Sequence, residues 1–153
     1  MKNEITNAIK QSTNLKQIVE AFNKLCRDLR KDNEQIGYVA GIVFSEGPEN
    51  VKKNIGILNS YTEKLRKKSY FPIFSSVDLF YGNDFYNQIA ETKLPYVRRR
   101  TAFIQFYQKM LRNGYITDIF MTPRWQKSEG YMDEYETAKD ENLIIHYVDE
   151  LAL

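Results

Sequence analysis

Ile36-Gly37-Tyr38-Val39-Ala40-Gly41-Ile42-Val43-Phe44 is the stretch on which the fold turns. It is apolar without a break and rich in β-branched residues, as a strand buried on both faces of a parallel sheet reads. It runs into Ser45-Glu46-Gly47-Pro48, where Ser45 suits a helix cap and Pro48 suits the first helical turn. Val51, Ile55, Leu58 and Leu65 then form an apolar helical stripe that reaches Lys68. Tyr70-Phe71-Pro72-Ile73-Phe74 reads as a second short strand, and strand, helix, strand with short joins is a βαβ unit.

Upstream, Leu15, Ile18, Val19, Phe22, Leu25, Cys26 and Leu29 step by threes and fours, the period of one helix stripe. With Ile5 and Ile9 before them, they predict one helix or two short ones ending near Lys31-Asp32-Asn33. Ser12, Thr13 or Asn14 is the capping residue of the stronger part. Downstream, residues 75–97 hold many aromatics, with a short helix over Asn83–Glu91, and suit a lid over a site as well as a packed surface insertion. Phe103, Phe106, Tyr107, Met110 and Leu111 predict a helix over Arg98–Arg112 that Asn113-Gly114 ends. Tyr115–Met121 is the third strand, Thr122–Ser128 a loop, Gly130–Asp140 a helix and Leu143–Val148 the last strand. The order predicts an α/β fold with a doubly wound, mostly parallel sheet, Rossmann-like or flavodoxin-like, carrying an extra N-terminal helix. Residues 1–33 form that helical extension and residues 34–153 the α/β domain.

Composition narrows the function classes. At 153 residues the chain can bury a core without metal or disulfide staples, and 42% hydrophobic with 27% charged residues is a globular balance. A net charge of +2 is too small to imply a nucleic-acid or membrane surface. The runs Lys64-Leu65-Arg66-Lys67-Lys68 and Arg98-Arg99-Arg100 therefore read as solvated helix ends or faces. The single cysteine, Cys26, falls among core positions, which outweighs a nucleophile reading and suits a reducing compartment. No apolar run approaches the roughly 18–20 residues that span a bilayer, and the N-terminus lacks a signal-peptide core, so a cytoplasmic protein is expected. One His and one Cys far apart give no metal-ligand spacing, and His146, on a last strand that is expected to be buried, reads as a packed or hydrogen-bonded residue. The 11 Tyr and 9 Phe suit both a tyrosine-rich core and a pocket for a planar ligand.

Ligands of open parallel sheets bind beyond the carboxyl ends of the strands. Two such ends carry chemistry here. After the first strand, Gly41 and its neighbours let backbone amides approach a ligand. After the third, Thr122-Pro-Arg-Trp-Gln-Lys-Ser-Glu-Gly-Tyr-Met-Asp-Glu134 leads into a helix whose first amides, near Ser128 to Gly130, form an anion site. Glu134 sits early in that helix, with Tyr131 and Ala138 on its face, and the positive helix end favours its ionised form. Such a carboxylate beside a sugar acts as nucleophile or stabilises an oxocarbenium-like transition state. On residue types alone, a surface helix with solvated Glu129, Asp133, Glu134 and Glu136 is the commoner arrangement.

The spacing Trp125-x-x-Ser128-x-Gly130-x-x-x-Glu134-x-x-x-Ala138, after an Asp118-containing strand and before Leu143-Ile-Ile, resembles the nucleoside deoxyribosyltransferase superfamily. Tyr38-Val-Ala-Gly41 is similar to that family's first strand and glycine turn. The likeness covers residues 36 to 148 and leaves out the leading helix. It implies cleavage or transfer at the N-glycosidic bond of a nucleoside or nucleoside 5′-monophosphate, with no cofactor. It implies Glu134 as nucleophile, Ser128 and Gly130 as the phosphate loop, and Gly41 and Ile42 as the turn lining the sugar. Tyr38 is the strand tyrosine before that turn, and Trp125 with aromatics of residues 80–96 would face the base. Homodimeric assembly is implied too. The family's helix aspartate before the third strand has no counterpart here: Arg98–Arg112 contains no acid, Gln105 and Gln108 are the nearest polar residues, and Asp78 and Asp84 are the acids within reach upstream. A binding module that kept the pocket and lost the chemistry is the alternative.

Overall fold

The computed structural model describes residues 2–43, 46, 48–78, 96–124 and 129–149, with backbone alone at 2–3, 48, 96–103 and 129–131. In chain order the elements are α1 (Lys2–Ile9), α2 (Leu15–Leu29), β1 (Gly37–Ala40), α3 (Val51–Lys68), β2 (Ile73–Ser75), α4 (Tyr96–Leu111), β3 (Asp118–Met121), α5 (Glu129–Asp140) and β4 (Ile144–Tyr147). All strand pairs are parallel, in the order β2-β1-β3-β4. This is the expected doubly wound α/β sheet, and the order reverses between β1 and β3. No helix among the described residues is long and apolar enough to cross a membrane.

β1 is buried at all four positions, as its unbroken apolar run requires. It is shorter than its sequence run because the chain turns under α3 after Ala40. The Asn54 side-chain amide donates to the Val43 carbonyl at 3.3 Å and fixes that turn. Gly41 is needed there, since a Cβ would lie 2.5 Å from Leu58 Cδ1. At the other end of β1, a Cβ on Gly37 would meet the Phe120 and Phe71 rings at 2.9 and 3.1 Å. The missing side chain lets those rings pass over the strand 6.4 Å apart.

Successive residues of β1 face opposite sides. Val39 and Gly41 face α3, whose buried side is Asn54, Leu58, Thr62 and Leu65. Of the expected stripe, Leu58 and Leu65 are buried and Val51 and Ile55 are partly buried against the same core, while Asn54 and Thr62 are additions to it. The face includes polar residues because Asn54 and Thr62 are satisfied, Thr62 Oγ1 donating to the Leu58 carbonyl at 2.8 Å. Tyr38 and its β2 partner Phe74 face the other side. Phe22 of α2 meets Phe74 edge-on at 4.5 Å, and Tyr107 of α4 lies 6.4 Å from the Tyr38 ring.

The extension is two helices, α1 and α2. Asn14 is the cap, its Oδ1 accepting from the Gln17 amide at 2.8 Å, while Thr13 N donates to Gln17 Oε1. Ile5, Ile9, Ile18 and Phe22 are buried in the same core as the sheet. Arg30 Nη1 donates to the Tyr115 carbonyl at 2.9 Å and ties α2 to the entry of β3. Cys26 is fully buried, which pushes its thiol up to about 12 and makes it inert.

Two expectations need correcting. The last strand is not buried: β4 is the edge of the described sheet, with Ile144 54% and Tyr147 62% exposed. Nor is the basic run at the end of α3 wholly solvated. Arg66 donates from Nε to the Ile73 carbonyl at 2.9 Å and from Nη2 to the buried Asp78 at 2.7 Å, so it clamps α3 to β2. Lys64, Lys67 and Lys68 are exposed as expected. The side chains of Arg98–Arg100 and the helix expected over Asn83–Glu91 lie outside the described residues.

Candidate functional site

The carboxyl ends of β1 and β3 meet where the strand order reverses, the position at which doubly wound sheets bind ligands. Thr122 holds the two ends together, its N and Oγ1 donating to the Ala40 carbonyl at 3.3 and 2.8 Å. Different chemistry lies on each side of β1.

On the Tyr38 side, α5 lays Glu134 against the sheet. Its carboxyl is buried and Oε1 accepts from the Tyr38 hydroxyl at 3.1 Å, the one hydrogen bond to this side chain among the described residues. Removal from water pushes the carboxyl up to about 8; the Tyr38 hydrogen bond works against this shift and the neighbouring charge of Asp133 adds to it. The expectation that the helix start keeps Glu134 ionised is therefore corrected: Glu134 lies well inside α5, where burial outweighs the helix end. The solvated-helix arrangement fails here as well. Ala138, one turn on, is fully buried. Asp133 is half-buried and accepts both hydrogen bonds of the Gln108 amide, at 3.0 and 3.1 Å. Helix α4 thus reaches the site with an amide, and α5 supplies a second acid beside Glu134. Asp78 does not fill that role: Arg66 and the Ser75 amide, at 2.9 Å, hold it on the α3 side.

On the α3 side, a cavity of about 390 Å³ opens over Gly41 and Ile42, between α3 and the loop after β3. Lys53, Asn54 and Ile57 form one wall, and Thr122, Pro123 and Arg124 the other. Neither Tyr38 nor Glu134 lines it. Arg124 has a left-handed backbone, φ 67°, costly for a residue with a side chain. Its Nη1 donates to Glu46 Oε2 at 3.1 Å, so an ion pair joins the loops that follow β1 and β3.

Of the residues singled out from sequence, Tyr38 and Glu134 are brought into contact, and Gly41 and Ile42 line the cavity. Gly130 lies in the first turn of α5. Trp125 and Ser128 lie outside the described residues, as does Asp84. Lys53 and Arg124 were missed. The signal for Lys53 was present, since it lies in the first turn of α3, which begins over the carboxyl end of that strand. A second missed cluster lies at the foot of β3. Asp118 is buried and accepts from Thr117 Oγ1 at 2.5 Å and Gln35 Nε2 at 3.2 Å, and His146 Nε2 lies 2.7 Å away. His146 also stacks on Phe120 at 4.5 Å. It is hydrogen-bonded, as expected, although half-exposed on the edge strand. This cluster is at the opposite end of β3 from the crevice. Among the described residues, no group of three or more His, Cys, Asp or Glu could hold a metal ion.

Compared with protein-family models, with curated proteins and with solved structures, the chain matches none.

Proposed function

We propose that the protein is a cytoplasmic, homodimeric enzyme that cleaves, or transfers across, the N-glycosidic bond of a nucleoside or nucleoside 5′-monophosphate. The observation that carries the reading is the buried Glu134 carboxyl under the Tyr38 hydroxyl, beside the carboxyl ends of β1 and β3. It joins the two residues that the resemblance to nucleoside deoxyribosyltransferases singles out from distant parts of the sequence. A carboxylate freed of its proton there can attack an anomeric carbon as the C–N bond to the base breaks. The base leaves with that electron pair and takes a proton from solvent, and the glycosyl ester so formed is resolved by water or a second base. The Tyr38 phenol orients the attacking oxygen, and the low-dielectric surroundings strengthen its interaction with a developing oxocarbenium ion. The Ser128 and Gly130 loop would hold the phosphate at the start of α5.

The site has a specific pH signature. A nucleophile that ionises near pH 8 in the free enzyme gives kcat/KM rising about tenfold per pH unit up to that pH and level above it. A profile that falls above pH 8 instead would make Glu134 the acid that protonates the leaving base. The raised carboxyl also favours the second reading, a nucleotide-binding module without turnover. Base release decides between them. The protein and Glu134→Gln are incubated with nucleosides, their 5′-monophosphates and NAD, and free base is followed by liquid chromatography. The enzyme reading expects release that drops roughly a thousandfold or more in the variant. No release from any candidate, with intact ligand bound, leaves the binding module.

A further inference from the structure

The cavity on the α3 side of the crevice is not explained by Glu134 chemistry. Two cations, Lys53 and Arg124, stand on its opposite walls, and no carboxylate lines it among the described residues. Its floor is the Gly41–Ile42 backbone, with the polar Asn54 and Thr122 to either side. α3 begins two residues before Lys53, so its positive end adds to the same field. Lys53 makes no ion pair among the described residues, whereas Arg124 is occupied by the Glu46 carboxylate. Holding Arg124 in this place requires a left-handed backbone at a non-glycine residue, a cost that a loop free to point its arginine into solvent would avoid. A carboxylate on an arginine at the rim of a cationic cavity is an internal stand-in for an anionic ligand.

We infer that this cavity is an anion site that seats a phosphoryl group between Lys53 and Arg124, with Glu46 as the internal anion that yields Arg124 when the ligand enters. Arginine presents a planar fork suited to two phosphoryl oxygens, and lysine adds a point charge from the opposite wall. The volume suits a phosphorylated small molecule rather than a lone ion. The inference does not depend on turnover, and a mononucleotide whose phosphate sits here would not also place it on the Ser128 and Gly130 loop. The phosphoryl group has two sources: the phosphate of a mononucleotide, or a second phosphate of a dinucleotide whose other half reaches the Glu134 side.

Calorimetric titration of the whole protein with inorganic phosphate, nucleoside 5′-monophosphates, NAD and the parent nucleosides tests this. Lys53→Gln and Arg124→Gln are each expected to weaken a phosphate-bearing probe at least tenfold and leave nucleoside binding unchanged. Glu46→Gln is expected to tighten the same probe severalfold. Loss for monophosphates assigns the site to a mononucleotide, and loss for NAD alone assigns it to the second phosphate of a dinucleotide. Binding of phosphate-bearing probes that ignores both cation substitutions overturns the inference, as does their failure to bind at all. All three side chains are on the surface or rim, and unchanged thermal unfolding of the variants confirms that the readout is binding. Release of base from nucleoside 5′-monophosphates, with their binding unchanged in Lys53→Gln and Arg124→Gln, would sink this site and leave the glycosidase intact. Phosphate binding that needs both cations, without base release, would do the reverse.

Discussion

Two buried carboxyls sit at opposite ends of the sheet, and their surroundings differ in one respect. Asp118, at the foot of β3, receives Thr117, Gln35 and His146. Glu134, beside the carboxyl ends of β1 and β3, receives one phenol among the described residues. A carboxyl surrounded by donors is a joint: its lone pairs are spent on fixing strand ends. A carboxyl held by a single neutral donor in a dry place keeps its proton to higher pH and has lone pairs to offer a ligand. The contrast separates scaffold from candidate chemistry without reference to sequence motifs.

The largest effect expected from that contrast is a pH dependence of stability. Glu134 holds its proton up to about pH 8 when folded, while the unfolded chain ionises near the ordinary glutamate value of 4.5. The folded state thus binds the extra proton between those limits. Its stabilising share is complete below pH 4.5, is lost as pH rises through 8, and amounts to at most roughly 5 kcal/mol. Urea unfolding of the native protein and Glu134→Gln between pH 5 and 9 should show the native protein losing stability relative to the variant. Parallel profiles would mean that Glu134 is ionised in the fold.

A smaller loss belongs to the joint. Asp118→Ala strands the Gln35 and Thr117 donors and should cost about 1–3 kcal/mol in urea unfolding while leaving ligand binding and any base release unchanged. An effect on turnover as large as that of Glu134→Gln would erase the distinction between the two ends. Smallest is Tyr38→Phe, which removes one hydrogen bond at a cost of about 1 kcal/mol. Because that bond lowers the Glu134 titration, its loss should move the rising limb of the pH–rate profile to higher pH. A limb that stays in place, read by the same chromatographic assay, would show that the phenol orients nothing.

Most of the fold was legible because apolar continuity in β1 and period in α2 and α4 report burial directly. The shortening of β1 was not, because it depends on Leu58 filling the space above Gly41 and on Asn54 catching Val43, contacts between elements. The exposure of β4 was hidden for a similar reason. Leu143-Ile-Ile-His-Tyr-Val148 has a core strand's composition, and only the sheet order shows that one edge has no neighbour among the described strands. At the site, Tyr38 and Glu134 were each recognisable, but their meeting depends on α5 packing beside α4 and on a strand order that sets β1 next to β3. Glu134's protonation was misread because the helix end is visible in sequence while burial is not. Arg66 in a basic run looked solvated, since nothing local shows that Asp78 waits beneath it.

The ladder between β1 and β3 has a consequence for how the chain is made. Ile36 and Thr117, which bond across the entry to these strands, are 81 residues apart, and none of the described strands pairs with a neighbour through a tight hairpin. A ribosome releasing this chain exposes the α1–α2 helical pair before β1, and that pair can form from local contacts. β1 follows almost at once, fully apolar and with both edges open, and must wait for β2 and then for β3 before it is closed on each side. The molecule belongs with the slow, non-local folders, and its most vulnerable interval is the time between the emergence of Ala40 and that of Met121.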